Sequence, residues 1–386
     1  MSISKALTMN KKLRVVVGMS GGVDSSVAAY LLQQEGHEVI GLFMRNWDST
    51  LNHDVAGNPD KNSVVCEQER DYQDALAVCD HLGIPLHRVD FIEEYWRDVF
   101  QYFLAEYEKG RTPNPDILCN KYIKFEAFYQ HAQIFEPDAI AMGHYARLSA
   151  GSPLKLLRGI DDNKDQTYFL SQLTLKQLKH VLFPVGAFSK AQIREIALKA
   201  KLPTASKKDS TGICFIGERE FNAFLTNYLP AQKGPIKTLE GDVLGEHTGL
   251  MHYTIGQRKG LGIGGHKTYG VEPWFVVGKD LKTQTLWVGQ GYHHPDLYGT
   301  HALASDINII RADDSFIDRK VQAKFRHRQK DVSVYVSGDE NQLKVTFEEP
   351  VRAVTPGQAV VFYDGEVCLG GAFIDRVYQA DRRLPL

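Results

Sequence analysis

The feature that most constrains the fold is a valine-rich run at residues 13–19, which passes through three small residues, 20–22, into a stretch with helical spacing at 24–34. An apolar run of this length bounded by glycines is typical of a buried strand. A strand that leads at once into a helix begins a strand–helix–strand unit, whose strands run parallel. Because parallel sheets need cover on both faces, the start of the chain predicts an α/β domain.

The same alternation continues to about residue 228. Short apolar runs at 39–44, 86–89 and 139–142 alternate with stretches of helical spacing at 71–82 and 93–107. This pattern predicts a parallel sheet covered by helices on both faces, which we assign to residues 1–220.

Glycine content and periodicity change after this domain. Residues 231–300 hold 14 of the 33 glycines and show no helical spacing, which predicts a small β-rich domain at 221–300. From about residue 306 apolar and polar residues alternate, and Asp364-Gly365 separates two apolar runs, as in a tight hairpin. We therefore predict an antiparallel β-barrel at 301–386. A chain of 386 residues is long enough for these three domains.

Composition excludes several classes of protein. The 45 basic and 47 acidic side chains nearly balance, so a nucleic-acid partner must be met by local patches. Five cysteines without a C-x-x-C pair exclude a disulfide scaffold and a zinc ribbon, and we assign no residue to a metal site. No apolar stretch reaches the about 18 residues of a membrane span, and residues 1–12 carry no signal-peptide pattern. We expect a cytoplasmic protein without membrane association.

The loop between the first strand and the first helix predicts a phosphate site. Its sequence is Ser20-Gly21-Gly22-Val23-Asp24-Ser25-Ser26. Glycines let successive backbone N–H groups turn toward one point, and the partial positive charge of a helix start adds to them. No Gly-Lys-Ser/Thr follows, so this is not a Walker A loop. On the residues alone, Asp24 either faces this cradle or caps the helix.

Cys119 has the context of a reactive thiol. Pro113 and Pro115 fix an extended approach to a helix that we predict to begin near Cys119, with Lys121 close by. A helix start and a neighbouring cation both favour the thiolate. Asp116 is either the cap of that helix or a general base.

Cys214 lies between glycines in a predicted loop, exposed enough to react. Cys66, Cys79 and Cys368 instead have the apolar neighbours of small core side chains. A thiol that carries a sulfane sulfur and a second thiol that resolves it can transfer sulfur by ordinary exchange chemistry. Cys119 and Cys214 are the candidates for such a pair, and only the fold can bring them together.

Three basic patches make an RNA partner plausible. The longest is Lys324-Phe325-Arg326-His327-Arg328-Gln329-Lys330, which we predict on a barrel strand, and the others are Lys207-Lys208 and Arg258-Lys259. Each alone is more often a solvated surface, but together they could follow a phosphate backbone.

These motifs together closely resemble those of the bacterial tRNA-specific 2-thiouridylases, which are PP-loop ATP pyrophosphatases. The resemblance spans nearly the whole chain after the first dozen residues. The matching segments are Gly18 to Ser25, Thr112 to Asn120, Gly143 to Ala146, Asp165 to Leu170, Gly212 to Gly217, His252 to Gly262 and Pro356 to Ala359.

The resemblance implies a Rossmann-like PP-loop domain, a small central domain and a C-terminal β-barrel. It also implies ATP-dependent 2-thiolation of the wobble uridine of tRNA, through adenylation of the C2 oxygen and transfer of a persulfide sulfur. ATP would be the co-substrate, with Mg²⁺ on its phosphates. The implied partners are tRNA and a sulfur donor, either a sulfur relay protein or a cysteine desulfurase.

The resemblance also assigns roles to residues. Cys214 matches the position that carries the persulfide, Cys119 its partner thiol, and Asp116 the proposed acid/base. A disulfide between Cys119 and Cys214 is an implied product, and sulfur reaches C2 either directly from the persulfide or as released sulfide. The implied ATP site is Gly18, Met19, Ser20, Gly21, Gly22, Val23, Asp24, Ser25, Met44 and Gly143. The implied tRNA-contacting residues are Asn114, Pro115, Asp116, His144, Lys164, Asp165, Gln166, Arg326, His327 and Gln358.

Two other functions remain open. A PP-loop amidotransferase or ligase acting on another substrate would need no reactive cysteine pair, so full activity of Cys119→Ser and Cys214→Ser would favour it. A non-enzymatic RNA-binding protein would use only the barrel and the basic run, and it would form no AMP.

Overall fold

A sheet of five parallel strands forms the N-terminal part of the chain, as predicted. The computed structural model describes residues 12–56, 67–209, 221–264 and 269–385. The strands lie in the order β3-β2-β1-β4-β7. Their bounds are β1 (Arg14–Met19), β2 (Glu38–Arg45), β3 (Leu86–Asp90), β4 (Ala139–Ala141) and β7 (Val181–Leu182), while β5 (Ala146–Leu148) and β6 (Leu156–Arg158) belong to another sheet.

The parallel sheet is buried on both faces. Val16 of β1 packs in a core cluster that also contains Cys119, and its neighbours Val15 and Val17 pack in a second cluster on the other face. β2 lies on one side of β1 and β4 on the other, so the chain changes direction across the sheet at β1. Ligands of such sheets bind at this switch point, beyond the carboxyl ends of the strands. The loop that follows β1 therefore lies where a ligand site is expected.

Helices cover both faces of this sheet. They are α1 (Val23–Gln34), α2 (Glu67–Leu82), α3 (Ile92–Tyr95), α4 (Gln101–Glu108), α5 (Pro115–Leu118), α6 (Phe128–Ala132), α7 (Thr167–Leu170), α8 (Leu175–Leu178), α9 (Lys190–Lys199) and α10 (Phe221–Leu225). Two π-helical segments, Trp96–Phe100 and Cys119–Ala127, continue α3 and α5. Such segments occur frequently at functional sites. In the part of the chain that the structure describes, no helix is both long and apolar enough to cross a bilayer.

A four-stranded sheet follows, which confirms the prediction of a small β-rich central domain. Its strands are β8 (Gly234–Thr238), β9 (Val243–His247), β10 (Trp274–Asp280) and β11 (Thr285–Gln290), in the order β10-β11-β8-β9. β11 and β8 run parallel, and the other two pairs are antiparallel. Ile236, Val276 and Leu286 form the centre of its core.

The C-terminal part is the predicted antiparallel barrel. Its strands are β12 (Tyr298–Ile309), β13 (Arg319–Lys324), β14 (Val332–Gly338), β15 (Leu343–Arg352), β16 (Ala359–Asp364), β17 (Val367–Gln379) and β18 (Arg382–Arg383). Antiparallel pairing of β12 with β17 closes the barrel. Asp364 pairs with Val367 across the predicted hairpin, and Gly365 has a φ of 57°, as such a turn requires.

A hairpin from the N-terminal part joins the barrel sheet. β5 pairs with β6, and Leu157 of β6 pairs with Val367 of β17. Arg158 strengthens this junction through an ion pair of 2.9 Å with Asp331, and its guanidinium carbon lies 3.7 Å from the ring centroid of Tyr363. The first and third domains are therefore joined by β-pairing, which the sequence did not predict.

Candidate active site

The loop between β1 and α1 has the geometry of an anion site. Gly22 is the N-cap residue of α1, and no side chain of a described residue caps the helix there. The hydroxyls of Ser25 and Ser26 donate to the Gly22 carbonyl at 3.1 and 2.7 Å, while Ser25 Oγ accepts from the Ser20 amide at 3.2 Å. The loop is thus held by its own serines, and the first amides of α1 lack a side-chain cap. The interpretation of Asp24 as the helix cap is wrong.

Close packing explains two glycines of the predicted ATP site. Gly21 has a φ of +69°, and a Cβ atom there would lie 2.2 Å from the carbonyl oxygen of Asp71. At Gly143, which follows β4, a Cβ atom would lie 2.9 Å from the backbone nitrogen of Ser25. The end of β4 therefore presses against the first turn of α1, and any side chain at either glycine would displace the loop.

The same edge of the sheet brings Met44 to the site. A Cβ atom at Gly18 would lie 2.6 Å from Sδ of Met142 and 3.5 Å from Cε of Met44. The ends of β2 and β4 thus approach each other across Gly18. Gly18, Met44, Gly143 and the loop, which the resemblance placed in one ATP site, are neighbours in the structure.

Lysines flank the loop on two sides. Lys190, the first residue of α9, contacts Asp24 Oδ1 and Oδ2 at 2.8 and 2.9 Å, and the Tyr145 hydroxyl donates to the same carboxylate at 2.7 Å. Lys207 donates to the Gly21 carbonyl at 3.1 Å and also pairs with Asp71 at 2.6 Å. Sequence reasoning noted Lys207 only as part of a basic patch and missed Lys190. The capping box that begins at Ser189 is the one sequence signal near Lys190.

Asp209 is the centre of a cationic cluster. Its carboxylate pairs with Lys164 at 2.7 Å, Arg194 at 2.7 Å and Lys190 at 2.9 Å. Burial alone would raise the pKa of Asp209, but the hydrogen bonds from Lys164 and Lys190 outweigh burial and lower it to about 2. Through Lys190, this cluster connects Asp24 of the phosphate loop with Lys164, a predicted tRNA-contacting residue.

Cys119 lies on the other face of the sheet and is fully buried. Its helix begins at Pro115, where the Asn114 side chain accepts a hydrogen bond of 3.1 Å from the Asp116 amide. The predicted helix start at Cys119 and the capping role of Asp116 are therefore wrong, since Asn114 followed by proline is the better start signal. Lys121, the cation that the sequence placed close to Cys119, has its Nζ 3.4 Å from Oε1 of Gln172.

The other cysteines divide into two groups. Cys79 and Cys368 are confirmed as core side chains, and burial raises the pKa of each thiol to about 12. Cys66 and Cys214 lie outside the described residues. The convergence of Cys119 with Cys214 stays a prediction.

Three polar side chains around the end of the sheet are buried without full pairing. Both amide atoms of Asn46, Oδ1 of Asn120 and Nδ1 of His144 have no hydrogen-bond partner within the described ranges. An unpaired buried polar group costs about 1–3 kcal/mol. Burial, with a smaller contribution from Lys124, lowers the pKa of His144 well below its ordinary value of 6.5, so its imidazole is neutral at physiological pH. Sequence reasoning missed Asn46, which stands between Arg45 and Trp47 and carries no local signal of burial.

Two of the predicted tRNA-contacting residues serve the local fold. The Asp165 carboxylate accepts hydrogen bonds from the Gly159 and Thr167 amides, both at 3.2 Å. The Gln166 side chain accepts from the Tyr145 amide at 2.9 Å. Both side chains therefore shape the loop before α7, and their contact with tRNA stays a prediction.

Three further predicted tRNA-contacting residues lie at domain junctions. Arg326 is exposed along part of its length, but its Nη2 donates to the Ile255 and Ala353 carbonyls at 3.1 and 2.9 Å. His327 lies 2.6 Å from the Asp165 carbonyl, and Gln358 donates to the Thr112 carbonyl at 2.6 Å. β13 ends at Lys324, so the basic run lies mostly in the following turn and its prediction as strand is wrong.

The described residues contain no group of three or more His, Cys, Asp or Glu side chains that could hold a metal ion. Mg²⁺ is usually bound by one or two carboxylates together with substrate phosphates. Asp24 of the phosphate loop is such a carboxylate, and Lys190 and Tyr145 contact it in this structure.

Family models match the chain in three consecutive pieces. Residues 13–218 match a tRNA methyl transferase HUP domain, 222–290 a tRNA methyl transferase PRC-barrel domain and 300–374 an aminomethyltransferase beta-barrel domain. The tRNA-specific 2-thiouridylase MnmA of Staphylococcus carnosus is 57% identical over 373 residues, which cover 96% of this chain and 97% of that protein. The proteins of the same name from Staphylococcus epidermidis and Staphylococcus haemolyticus are each 55% identical, covering 97% of this chain and 98% of each relative.

Proposed function

This chain belongs to the family of tRNA-specific 2-thiouridylases, and on that premise we propose that it replaces the C2 oxygen of the wobble uridine of tRNA with sulfur in an ATP-dependent reaction. The observation that carries the proposal is the presence of two features on one sheet. The phosphate loop follows β1 and leads into a helix start that lacks a side-chain cap, and Cys119 packs in the core cluster on the other face of the same sheet. An enzyme that couples an ATP phosphate to thiol chemistry needs both.

ATP binding would use the loop and its flanking lysines. The first amides of α1 would receive the phosphates, and the partial positive charge of the helix start would favour their negative charge. Lys190 and Lys207 would add cationic charge on two sides of the loop. Asp24 would hold Mg²⁺ together with the phosphates, and the ion would neutralise phosphate charge.

The first chemical step would activate the base. The C2 oxygen of uracil attacks the α-phosphorus of ATP, pyrophosphate leaves, and the proton on N3 is lost. Asp116 is the proposed base for that proton. Adenylation turns a poor leaving group into AMP, so C2 becomes open to attack by sulfur.

The second step would transfer sulfur. The terminal sulfur of a persulfide on Cys214 attacks C2 and AMP leaves, and the Cys119 thiolate then attacks the Cys214 sulfur, which releases 2-thiouridine and leaves a disulfide. Alternatively, Cys119 displaces sulfide from Cys214 first, and the sulfide attacks C2. Both routes form one Cys119–Cys214 disulfide for each sulfur transferred, and an external thiol must reduce it.

The partners follow from this chemistry. The sulfur donor would be a relay protein or a cysteine desulfurase that loads Cys214. tRNA would contact Asn114, Pro115 and Asp116 with its target base, and His144, Lys164 to Gln166, Arg326, His327 and Gln358 elsewhere. Free thiols persist in the reducing cytoplasm, which is the proposed location. The PP-loop ligase alternative is not favoured, because the named relatives match over nearly the full length of the chain.

Reconstitution tests the proposal. The purified protein is incubated with ATP, Mg²⁺, tRNA and a persulfide donor, and the tRNA nucleosides are analysed by mass spectrometry. We expect 2-thiouridine from the wild type and none from Cys119→Ser or Cys214→Ser. Cys79→Ser and Cys368→Ser are matched controls, since both thiols are buried core groups, and they should retain product formation. Product from both Cys119→Ser and Cys214→Ser would rule out the cysteine relay.

A further inference from the structure

Asn46 is a fully buried polar side chain at the carboxyl edge of the parallel sheet, directly after β2. Neither its Oδ1 nor its Nδ2 has a hydrogen-bond partner among the residues described. Nearly all buried side-chain amides in proteins are satisfied by protein or water. An amide with both atoms unpaired therefore indicates a ligand that is bound during function.

The position of Asn46 favours the target base over ATP as that ligand. Trp47, the next residue in the chain, packs in the core cluster that contains Cys119. The first turns of α1, which begin at the phosphate loop, pack in the other cluster on the opposite face of the sheet. In the proposed reaction the uracil ring must come close to Cys119, whereas the ATP phosphates bind at the loop. Asn46 thus lies on the side of the sheet that receives the base.

Two other unpaired polar atoms belong to the same region. Oδ1 of Asn120 belongs to the residue after Cys119, and Nδ1 of His144 to the second residue after Met142. The His144 ring lies 5.6 Å from the ring of Phe125, in the helical segment that begins with Cys119.

The strands that lead to Asn46 and His144 are β2 and β4, which pair with β1 on its two sides. A Cβ atom at Gly18 would lie 2.6 Å from Sδ of Met142 and 3.5 Å from Cε of Met44. Asn46 and His144 each follow one of these methionines by two residues. Asn46 and His144 therefore follow the two strands that flank β1, at the same edge of the sheet.

We propose that Asn46 is a substrate-binding residue that hydrogen-bonds the imide edge of the target uracil. Uracil presents the N3–H donor between two carbonyl acceptors, and a carboxamide presents an acceptor and a donor side by side. Before adenylation, Oδ1 accepts from N3–H and Nδ2 donates to O4, which leaves O2 open. When O2 is adenylated, the N3 proton becomes acidic and passes to the proposed base Asp116, while the bond from Nδ2 to O4 remains. The inference rests on the proposed function, because it assumes a uridine substrate.

The test compares Asn46→Leu with His37→Leu. Leucine has nearly the shape of asparagine and removes both unpaired atoms. His37 is a matched control because it is buried at the other end of β2, where its Nδ1 accepts from the Leu13 amide at 3.3 Å. For Asn46→Leu we expect an unchanged or higher Tm, an unchanged KM for ATP and about a tenfold fall in kcat/KM for tRNA, equivalent to about 1.4 kcal/mol. His37→Leu should lower Tm and leave kcat/KM for tRNA unchanged.

Binding of an anticodon stem-loop RNA provides a readout that needs no turnover. The wild type should bind RNA with a wobble uridine more tightly than RNA with an abasic wobble position, and Asn46→Leu should lose this difference. If Asn46→Leu keeps the full difference in affinity between the two RNAs, the inference is overturned. A raised KM for ATP with unchanged tRNA kinetics would also overturn it and would assign Asn46 to the nucleotide. Failure of the proposed function is a separate result, namely no 2-thiouridine from the wild type.

Discussion

Gly143→Ala should impair ATP use by displacing the phosphate loop. The added Cβ atom would lie 2.9 Å from the Ser25 nitrogen and 3.0 Å from the Asp24 carbonyl carbon. Both are backbone atoms of α1, which cannot move aside as a flexible side chain can. The first turn of α1 must therefore shift by about 0.5 Å to reach ordinary contact distance.

The size of the effect follows from that shift. A misplacement of about 1 Å can cost about 100-fold in rate, so we expect the smaller shift to lower kcat/KM for ATP about tenfold. Overpacking should also lower the free energy of unfolding by about 1–3 kcal/mol. Gly270→Ala is a matched control, because a Cβ atom there meets nothing within 4 Å. Pyrophosphate release at varied ATP measures kcat/KM, and a value for folded Gly143→Ala within twofold of the wild type would refute this reasoning.

Three further substitutions test individual charges, two beside the phosphate loop and one in the central domain. Lys190→Met should raise the KM for ATP about tenfold, or about 1.4 kcal/mol, because Lys190 pairs with Asp24, while the exposed Lys199→Met on the same helix should not. Asp209→Asn should lower the free energy of unfolding in urea by ~1–2 kcal/mol at pH 7, after allowance for solvent screening. The pKa of Asp209 is lowered from 3.8 to about 2 in the folded state, so this difference should persist above pH 4 and disappear as the pH falls toward 2. Burial lowers the pKa of Lys279 from 10.5 to about 7, so Lys279→Met should raise Tm at pH 7, and the gain should shrink as the pH rises toward 10. An equal Tm difference at pH 7 and pH 10 would contradict the Lys279 assignment.

Local sequence was sufficient for the parallel sheet and the phosphate loop. The valine-rich strand, the glycines and the helix are contiguous, so their geometry follows from short-range preferences. The Asp364-Gly365 hairpin and the core positions of Cys79 and Cys368 were predictable for the same reason. The start of α5 also had a local signal, Asn114 followed by Pro115, but the predicted start was placed at Cys119 instead.

Contacts between distant residues could not be predicted in this way. Lys190 and Asp24 are 166 residues apart, and only the packing of α9 beside α1 brings them together. β5 and β6 read as part of the first domain but pair with the barrel, because β17 offers them a strand edge. The unpaired state of Asn46 depends on its tertiary surroundings, which no local pattern records.

The fate of the uridine C2 oxygen tests the central claim most directly. An RNA substrate labelled with a heavy oxygen isotope at C2 of the wobble uridine is converted with unlabelled ATP, and the AMP formed is examined by mass spectrometry. Adenylation of the C2 oxygen predicts that each AMP released during sulfur transfer carries the label in its phosphate. Unlabelled AMP, with the label in water, would contradict the proposed mechanism.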